Sequence, residues 1–362
     1  MLSERKQKVL EAVVREYIST AEPVGSRTLF RRHNLGVSSA TIRNEMADLE
    51  EMGYLEQPHT SAGRIPSDLG YRFYVDNLMQ ANPLPEGEQE LLRQVPASGI
   101  TETDILLSQV SRLLSQVSNY ISLVLGPRTD RGVLRTLKLV PLEEHVAMAV
   151  LFTDQRKVES RVLVLPPQVE PEDLEGLSRY FTRRLAGRPL EEITGELLTT
   201  LYLELLEDYC AKRDRLAELG QALVNWLAGG GRRVKVYTGG TQNILRQPEF
   251  QDLEKVRRLL ALLEEEELLH KLLEREPGVT VTIGQENELP AVRECTVVTS
   301  TYSVDGEPVG VLAILGPTRM DYAHVISLLE YMAGCLSEAF ANISVRRTVA
   351  MPKQKTAAKE PV

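Results

Sequence analysis

Between Ser26 and Arg64 the chain cannot form one continuous element, because two helical apolar runs are separated by a glycine and followed by a hairpin pattern. The first run, Ser26-Arg27-Thr28-Leu29-Phe30-Arg31-Arg32-His33, stops at Asn34-Leu35-Gly36, where glycine can take the left-handed conformation that ends a helix. Ser38 is placed to cap a second helix, in which Ile42, Met46, Leu49 and Met52 recur at helical spacing until Gly53. Two short helices joined by a tight turn are either a structural corner or a unit that lays its second helix into DNA.

The flanking sequence bears on that choice. Residues 4–19 put Val9, Leu10, Val13, Val14, Tyr17 and Ile18 on one face, the pattern of a scaffold helix, which Glu22-Pro23-Val24-Gly25 then breaks. With Ile42 turned inward, a step of about 100° per residue sets Met46 and Leu49 beside it and Ala40, Asn44 and Ala47 opposite. Thr41 and Arg43 flank that outer face. Alanines permit close approach to a groove, while Arg43 and Asn44 can pair in bidentate fashion with guanine and adenine edges. Tyr54-Leu55-Glu56-Gln57 reads as a short strand, His59-Thr60-Ser61-Ala62-Gly63-Arg64 as a loop tip and Ile65 as a return strand, together a β-wing. Arg64 is expected at that tip, against phosphate or in the minor groove. Ser67 then caps a further helix from Asp68 to Met79, with Leu69, Phe73, Tyr74 and Leu78 as its apolar positions.

At 362 residues the chain predicts two or three domains, and 43% hydrophobic with 26% charged residues is an ordinary globular composition. The start, Met1-Leu2-Ser3-Glu4-Arg5-Lys6, has no signal-peptide pattern and no stretch reaches the length of a membrane span, so a cytoplasmic, non-membrane protein is expected. Cys210, Cys295 and Cys335 are odd in number and far apart, as reduced core cysteines would be. The net charge of -9 excludes a protein that coats nucleic acid along its whole surface. Residues 1–80 hold ten Lys plus Arg against eleven Asp plus Glu, but from Ala21 to Ala47 Arg27, Arg31, Arg32 and Arg43 face only Glu22 and Glu45. No Walker loop, nucleophile elbow, paired-histidine zinc motif or GxGxxG occurs, and His33, His59, His145, His270 and His324 show no ligand spacing. Neither catalysis nor a cofactor is expected. Thr238-Gly239-Gly240 and Gly316-Pro317-Thr318 read as turns.

Beyond the first eighty residues, Asn82-Pro83-Leu84-Pro85-Glu86-Gly87 and Pro96-Ala97-Ser98-Gly99 mark a linker over 81–102. From Thr103 a helix carries Leu106, Val110, Leu113, Val117 and Tyr120, spaced as a core or dimer-facing seam. Three β-like segments, Val133 to Val140, His145 to Asp154 and Lys157 to Leu165, precede a leucine-rich helical block that closes at Gly229-Gly230-Gly231. Strands then return at Val234 to Val236, Val279 to Ile283, Cys295 to Tyr302 and Pro308 to Leu315, around a charged helix from Leu253 to Glu276. A last amphipathic helix runs from Asp321 to about Ile343. The pattern is an α+β multidomain chain with an antiparallel sheet domain (103–121 with 232–345), into which residues 122–231 are inserted. Residues 346–362 read as a disordered tail.

Ser38-Ser39-Ala40-Thr41-Ile42-Arg43-Asn44-Glu45-Met46, Leu49-Glu50-Glu51-Met52-Gly53-Tyr54-Leu55 and His59-Thr60-Ser61-Ala62-Gly63-Arg64-Ile65-Pro66 together resemble the heat-inducible transcription repressor family HrcA of bacteria. Ile283-Gly284-Gln285-Glu286-Asn287 and Gly316-Pro317-Thr318-Arg319-Met320-Asp321-Tyr322 are similar to that family's C-terminal motifs, and the likeness runs from about Leu2 to Ile343. The resemblance implies an N-terminal winged helix-turn-helix over 1–80, a GAF-like domain, and an inserted dimerising α+β domain. It implies a homodimer that represses chaperone operons by binding double-stranded DNA at an inverted-repeat operator, with the GroEL chaperonin sustaining its activity. On this basis Thr41, Arg43 and Asn44 contact bases, with Ala40 and Ala47 against the groove. Arg27, Ser39, His59, Ser61 and Arg64 hold phosphate or the minor groove. A repressor controlled by a small effector in the GAF-like domain, and an interaction protein that never touches DNA, are the alternative readings.

Overall fold

A computed structural model describes residues 2–59, 62–80, 82–97, 103–127, 132–154, 158–166, 169–208, 213–229, 234–274, 276–304 and 306–349. Ser61, Cys210, Gly230, Gly231 and the tail from residue 350 onward lie outside the described residues. The chain divides into two compact units, one formed by Met1–Gly126 with Lys235–Val362 and the other by Pro127–Val234.

The first unit opens with α1 (Glu4–Thr20), whose start is capped by Ser3 and whose end turns at Ala21, with a positive φ of 57°. Val9, Leu10, Val13 and Val14 are all buried, as their spacing requires. α2 (Ser26–Arg32) and α3 (Ser39–Glu51) follow. Between them Gly36 has φ +67°, the left-handed turn that the sequence calls for. Ser38 Oγ accepts the Thr41 amide at 3.2 Å and so begins α3. Met52, expected in the apolar stripe, is 50% exposed, because the helix has already ended when the chain reaches it. β1 (Leu55–Glu56) and β2 (Ile65–Pro66) pair antiparallel in the register Leu55↔Pro66 and Glu56↔Ile65.

Ser67 caps α4 (Asp68–Phe73), but the predicted helix to Met79 widens at Tyr74–Leu78 into a π-helical turn. The segment expected as a bare linker over 81–102 instead holds α5 (Glu86–Ala97). Leu84 and Leu92 are buried there, so this stretch is anchored by apolar packing rather than left as a tether. α6 (Thr103–Ser118) buries Leu106, Val110 and Leu113 and leads into β3 (Ile121–Leu125).

The second unit contains β4 (Leu134–Glu143), β5 (Val146–Thr153) and β6 (Val158–Val164), which form an antiparallel sheet in that order. Three helices follow, α7 (Pro171–Leu185), α8 (Gly195–Asp208) and α9 (Arg213–Gly229). The inner sheet face, with Leu137, Leu139, Ala149, Leu151 and Leu163, shares one core with Leu177, Phe181, Leu205 and Leu223 of the helices. The two sheet edges are treated differently. Along β4, Thr182 Oγ1 of α7 accepts the Leu137 amide at 2.9 Å and donates to the Leu137 carbonyl at 3.0 Å, while Ser178 Oγ accepts the Leu139 amide at 2.9 Å. Hydroxyls from a helix thus engage the middle of that edge, whereas β6 ends the sheet with Val162 59% and Val164 80% exposed. Val140, Met148 and Val162 form a row across the outer face, which leaves an apolar surface where a solvated sheet would be polar.

Returning to the first unit, the chain adds β7 (Val236–Gly239), α10 (Leu253–Glu264), α11 (Glu266–Leu273), β8 (Val279–Ile283), β9 (Cys295–Val304), β10 (Glu307–Pro317) and α12 (Tyr322–Val349). The single charged helix expected over 253–276 is broken at Glu265, whose backbone is extended. The sheet order is β7-β3-β10-β9-β8, all antiparallel. β3 therefore belongs to this sheet, and the insertion begins after it rather than at residue 122. Its partners, Val311–Leu315 and Val236–Gly239, lie far along the chain, out of reach of a local pattern. Leu312 and Ile314 face the core with α6 and α12, while Ala313 and Leu315 face α10 and α11, so alternation along β10 builds a layer of helices on each side.

Removing the cap at the start of α3 isolates one link in this order. Ser38→Ala should lower stability by about 1 kcal/mol, since an orphan amide loses its acceptor. Urea denaturation measures this, and an unchanged midpoint would contradict the capping role.

Candidate nucleic-acid interface

α3 is held from its start and from its inner face. Ser38 Oγ lies 3.0 Å from Thr41 Oγ1 besides accepting the Thr41 amide, and Ile42, Met46 and Leu49 are buried. That leaves Ala40, Arg43, Asn44 and Ala47 exposed on the outer face, with Ser39 and Thr41 half-buried at its first turn. Such a surface can approach a polyanion closely, and its arginine and asparagine offer the paired hydrogen-bonding groups that match base edges.

The acidic side chains of the same helix would oppose that approach, and neighbouring cations restrain Glu45, Asp48 and Glu50. Lys6 of α1 donates to Glu45 Oε2 at 2.9 Å and to Asp48 Oδ2 at 2.8 Å. Those hydrogen bonds, to Asp48 first and then Glu45, raise the Lys6 ammonium above its ordinary pKa. Arg5 stands 3.6 Å from Glu45. Arg64 Nε donates to Glu50 Oε2 at 2.7 Å. Among the described residues, Arg27 and Arg43 have no ion-pair partner, so their charge remains available.

Arg64 is not at the loop tip where the sequence pattern set it. Its backbone N–H and C=O exchange 2.8 Å bonds with Val24, and its half-buried guanidinium is turned to Glu50. It therefore stitches the base of the hairpin to the chain after α1 and to α3. His59 is exposed on the loop, and Ser61 falls outside the described residues.

On α2, Arg27 is exposed, and so is Arg31 one turn later on the same side. Arg31 is absent from the expected contact set, although its spacing of four from Arg27 was the available signal. Arg32, by contrast, is bound to Glu16, whose other oxygen lies 3.2 Å from His33 Nε2, so this end of α2 is tied to α1. Lys6 was also missed. Its role depends on two carboxylates about forty positions along, which no local pattern reports.

The family model described as "HrcA protein C terminal domain" matches residues 104–326. The heat-inducible transcription repressor HrcA of Moorella thermoacetica is 46% identical over 345 residues, covering 94% of this chain and 99% of that protein. Its counterpart from Pelotomaculum thermopropionicum is 44% identical over 345 residues, covering 94% and 98%. A crystal structure of a protein described only as hypothetical is 26% identical and aligns with a TM-score of 0.61, covering 95% of this chain and 100% of that one. Similarity at this level over nearly the whole length means that the chain belongs to the HrcA family of heat-inducible transcription repressors.

Proposed function

We infer that the protein is a sequence-specific repressor of heat-shock chaperone operons that binds an inverted-repeat operator as a homodimer. In this reading α1 to α4 with the β1–β2 hairpin are a winged-helix DNA reader, and the five-stranded unit is a GAF-like domain. The second unit is the dimerising domain. The observation that carries the reading is the outer face of α3, where Ala40, Arg43, Asn44 and Ala47 are open while Glu45, Asp48 and Glu50 are held by Lys6 and Arg64. Thr41, Arg43 and Asn44 read base edges. Arg27, Arg31, Ser39 and the hairpin residues His59 and Ser61 take the backbone, while Arg64 holds Glu50 and the base of the hairpin. Modulation by the GroEL chaperonin is carried over from the family resemblance, and the family name supports a role in the heat-shock response.

The outer face of the three-stranded sheet supports self-association. Val140, Leu142, Phe152, Val162 and Val164 are exposed together, and a contiguous apolar patch of this kind marks an interaction surface. A second copy seated there supplies the second reader that an inverted repeat requires.

Two measurements test the reading. Arg43→Ala should cost about 1–3 kcal/mol on the operator and relax specificity at one position, whereas Arg27→Ala should weaken all duplexes alike and lower the salt slope by about 1. Gel shifts on the inverted repeat and on a scrambled duplex at moderate salt decide it, and equal affinity of the unaltered protein for both would refute sequence-specific repression. Separately, Val162→Asp combined with Val164→Asp should convert the dimer to a folded monomer in sedimentation. A dimer that persists would remove this face from the interface.

A further inference from the structure

Two motifs near the C-terminus, Ile283–Asn287 and Gly316–Tyr322, take no part in the proposed DNA contacts. In the sheet they emerge at the same end, because Thr296 of β9 pairs with Ile283 of β8 on one side and with Gly316 of β10 on the other. At that end they meet the winged helix at two separate places.

The first meeting is with α4. The Gln285 amide donates to Asp68 Oδ2 at 2.9 Å, and Arg72 donates to Glu286 Oε1 at 2.8 Å and to the Val281 carbonyl at 2.6 Å. Glu286 is itself held in place, since it accepts the Ile283 amide at 2.7 Å. Gly284 has φ +53°, and a Cβ there would fall 2.0 Å from the Asp68 carboxylate, so glycine leaves room for that carboxylate to reach the Gln285 amide.

The second meeting is with α1. Arg319 donates to Glu249 Oε1 at 2.6 Å and, through Nη1, to the carbonyl of Ile18 at 2.8 Å. Ile18 lies in the last turn of α1, where carbonyls lack helical partners and a cation is favoured. Between the two places the buried rings of Tyr71 and Tyr322 lie 5.8 Å apart. Tyr322 is fixed by donating to the Thr318 carbonyl at 2.5 Å, whereas the buried Tyr71 hydroxyl has no hydrogen-bond partner among the described residues.

We propose that these two motifs form a socket that fixes the orientation of the DNA reader on the five-stranded sheet, with Arg319 and Glu286 as positioning residues for operator binding. A body attached at one point can swivel, but one attached through both α1 and α4 cannot. The inference rests on the reading of the protein as a dimeric repressor. Fixed readers reach both half-sites of an inverted repeat together, while loose ones lose that advantage and keep their local contacts.

The test uses the full-length protein with Arg319→Ala and Glu286→Ala combined, with Tyr71→Phe alone, and with Arg43→Ala as a control. Binding is measured on the full inverted repeat and on a single half-site, and hydrogen exchange follows the Gln285 amide. The paired substitution should weaken the full repeat by about tenfold and leave the half-site within about twofold, with faster exchange at Gln285. Tyr71→Phe, which leaves both polar attachments in place, should change neither that exchange nor operator affinity. Arg43→Ala should weaken both duplexes and leave Gln285 unchanged. Equal weakening of both duplexes by the paired substitution, or unaltered binding despite faster exchange, would overturn the proposal. If the unaltered protein prefers neither duplex over scrambled DNA, the repressor reading fails instead. The socket is then judged on exchange alone, and a Gln285 amide that already exchanges freely would refute it.

Discussion

The antiparallel pairing of β9 with β10 is the constraint on which the rest of the first unit depends. It runs from Cys295↔Pro317 to Val304↔Glu307, and residues of β10 from Gly310 to Gly316 are buried throughout. A strand buried on both faces needs helices on both faces, which α6 and α12 supply on one side and α10 and α11 on the other. It also fixes the ends of three neighbouring strands in one row. The N-terminal helices join the same continuous core that fills one face of the sheet, so their packing and that of the sheet are not separable.

An acidic chain proposed to act at DNA must solve an electrostatic problem locally, because its net charge of -9 repels phosphate at long range. The arrangement around α3 does so by restraint more than by accumulation. Lys6 and Arg64 are turned to carboxylates of that helix, and the cations left unpaired are a few arginines on α2 and α3. On the proposed reading a modest local excess of positive charge suffices, with base-edge geometry and a second copy contributing what bulk charge does not.

Much of this was readable from the residues, and the reasons differ from place to place. Ser38, Gly36 and the Ile42-Met46-Leu49 spacing act within one or two helical turns, so their capping, turn and inward face follow from local rules. α5 was hidden because prolines and glycines at its borders resemble a linker, while the burial of Leu92 depends on a distant partner helix. The membership of β3 escapes a local pattern because its hydrogen-bonding partners are Val311–Leu315 and Val236–Gly239. In sequence Arg64 looks like a free tip residue, as a loop arginine beside a glycine does, and only the fold brings Glu50 and Val24 to it. In each miss the deciding contact is long in sequence and short in space.

The unequal edges of the three-stranded sheet have a consequence for assembly. A sheet with two open edges can add strands at both ends and grow into a filament. Here Thr182 and Ser178 engage the backbone of β4 at Leu137 and Leu139, while β6 forms the opposite edge of the sheet. The helix laid along β4 leaves less of that edge to template a further strand, which biases any strand addition to this sheet towards β6.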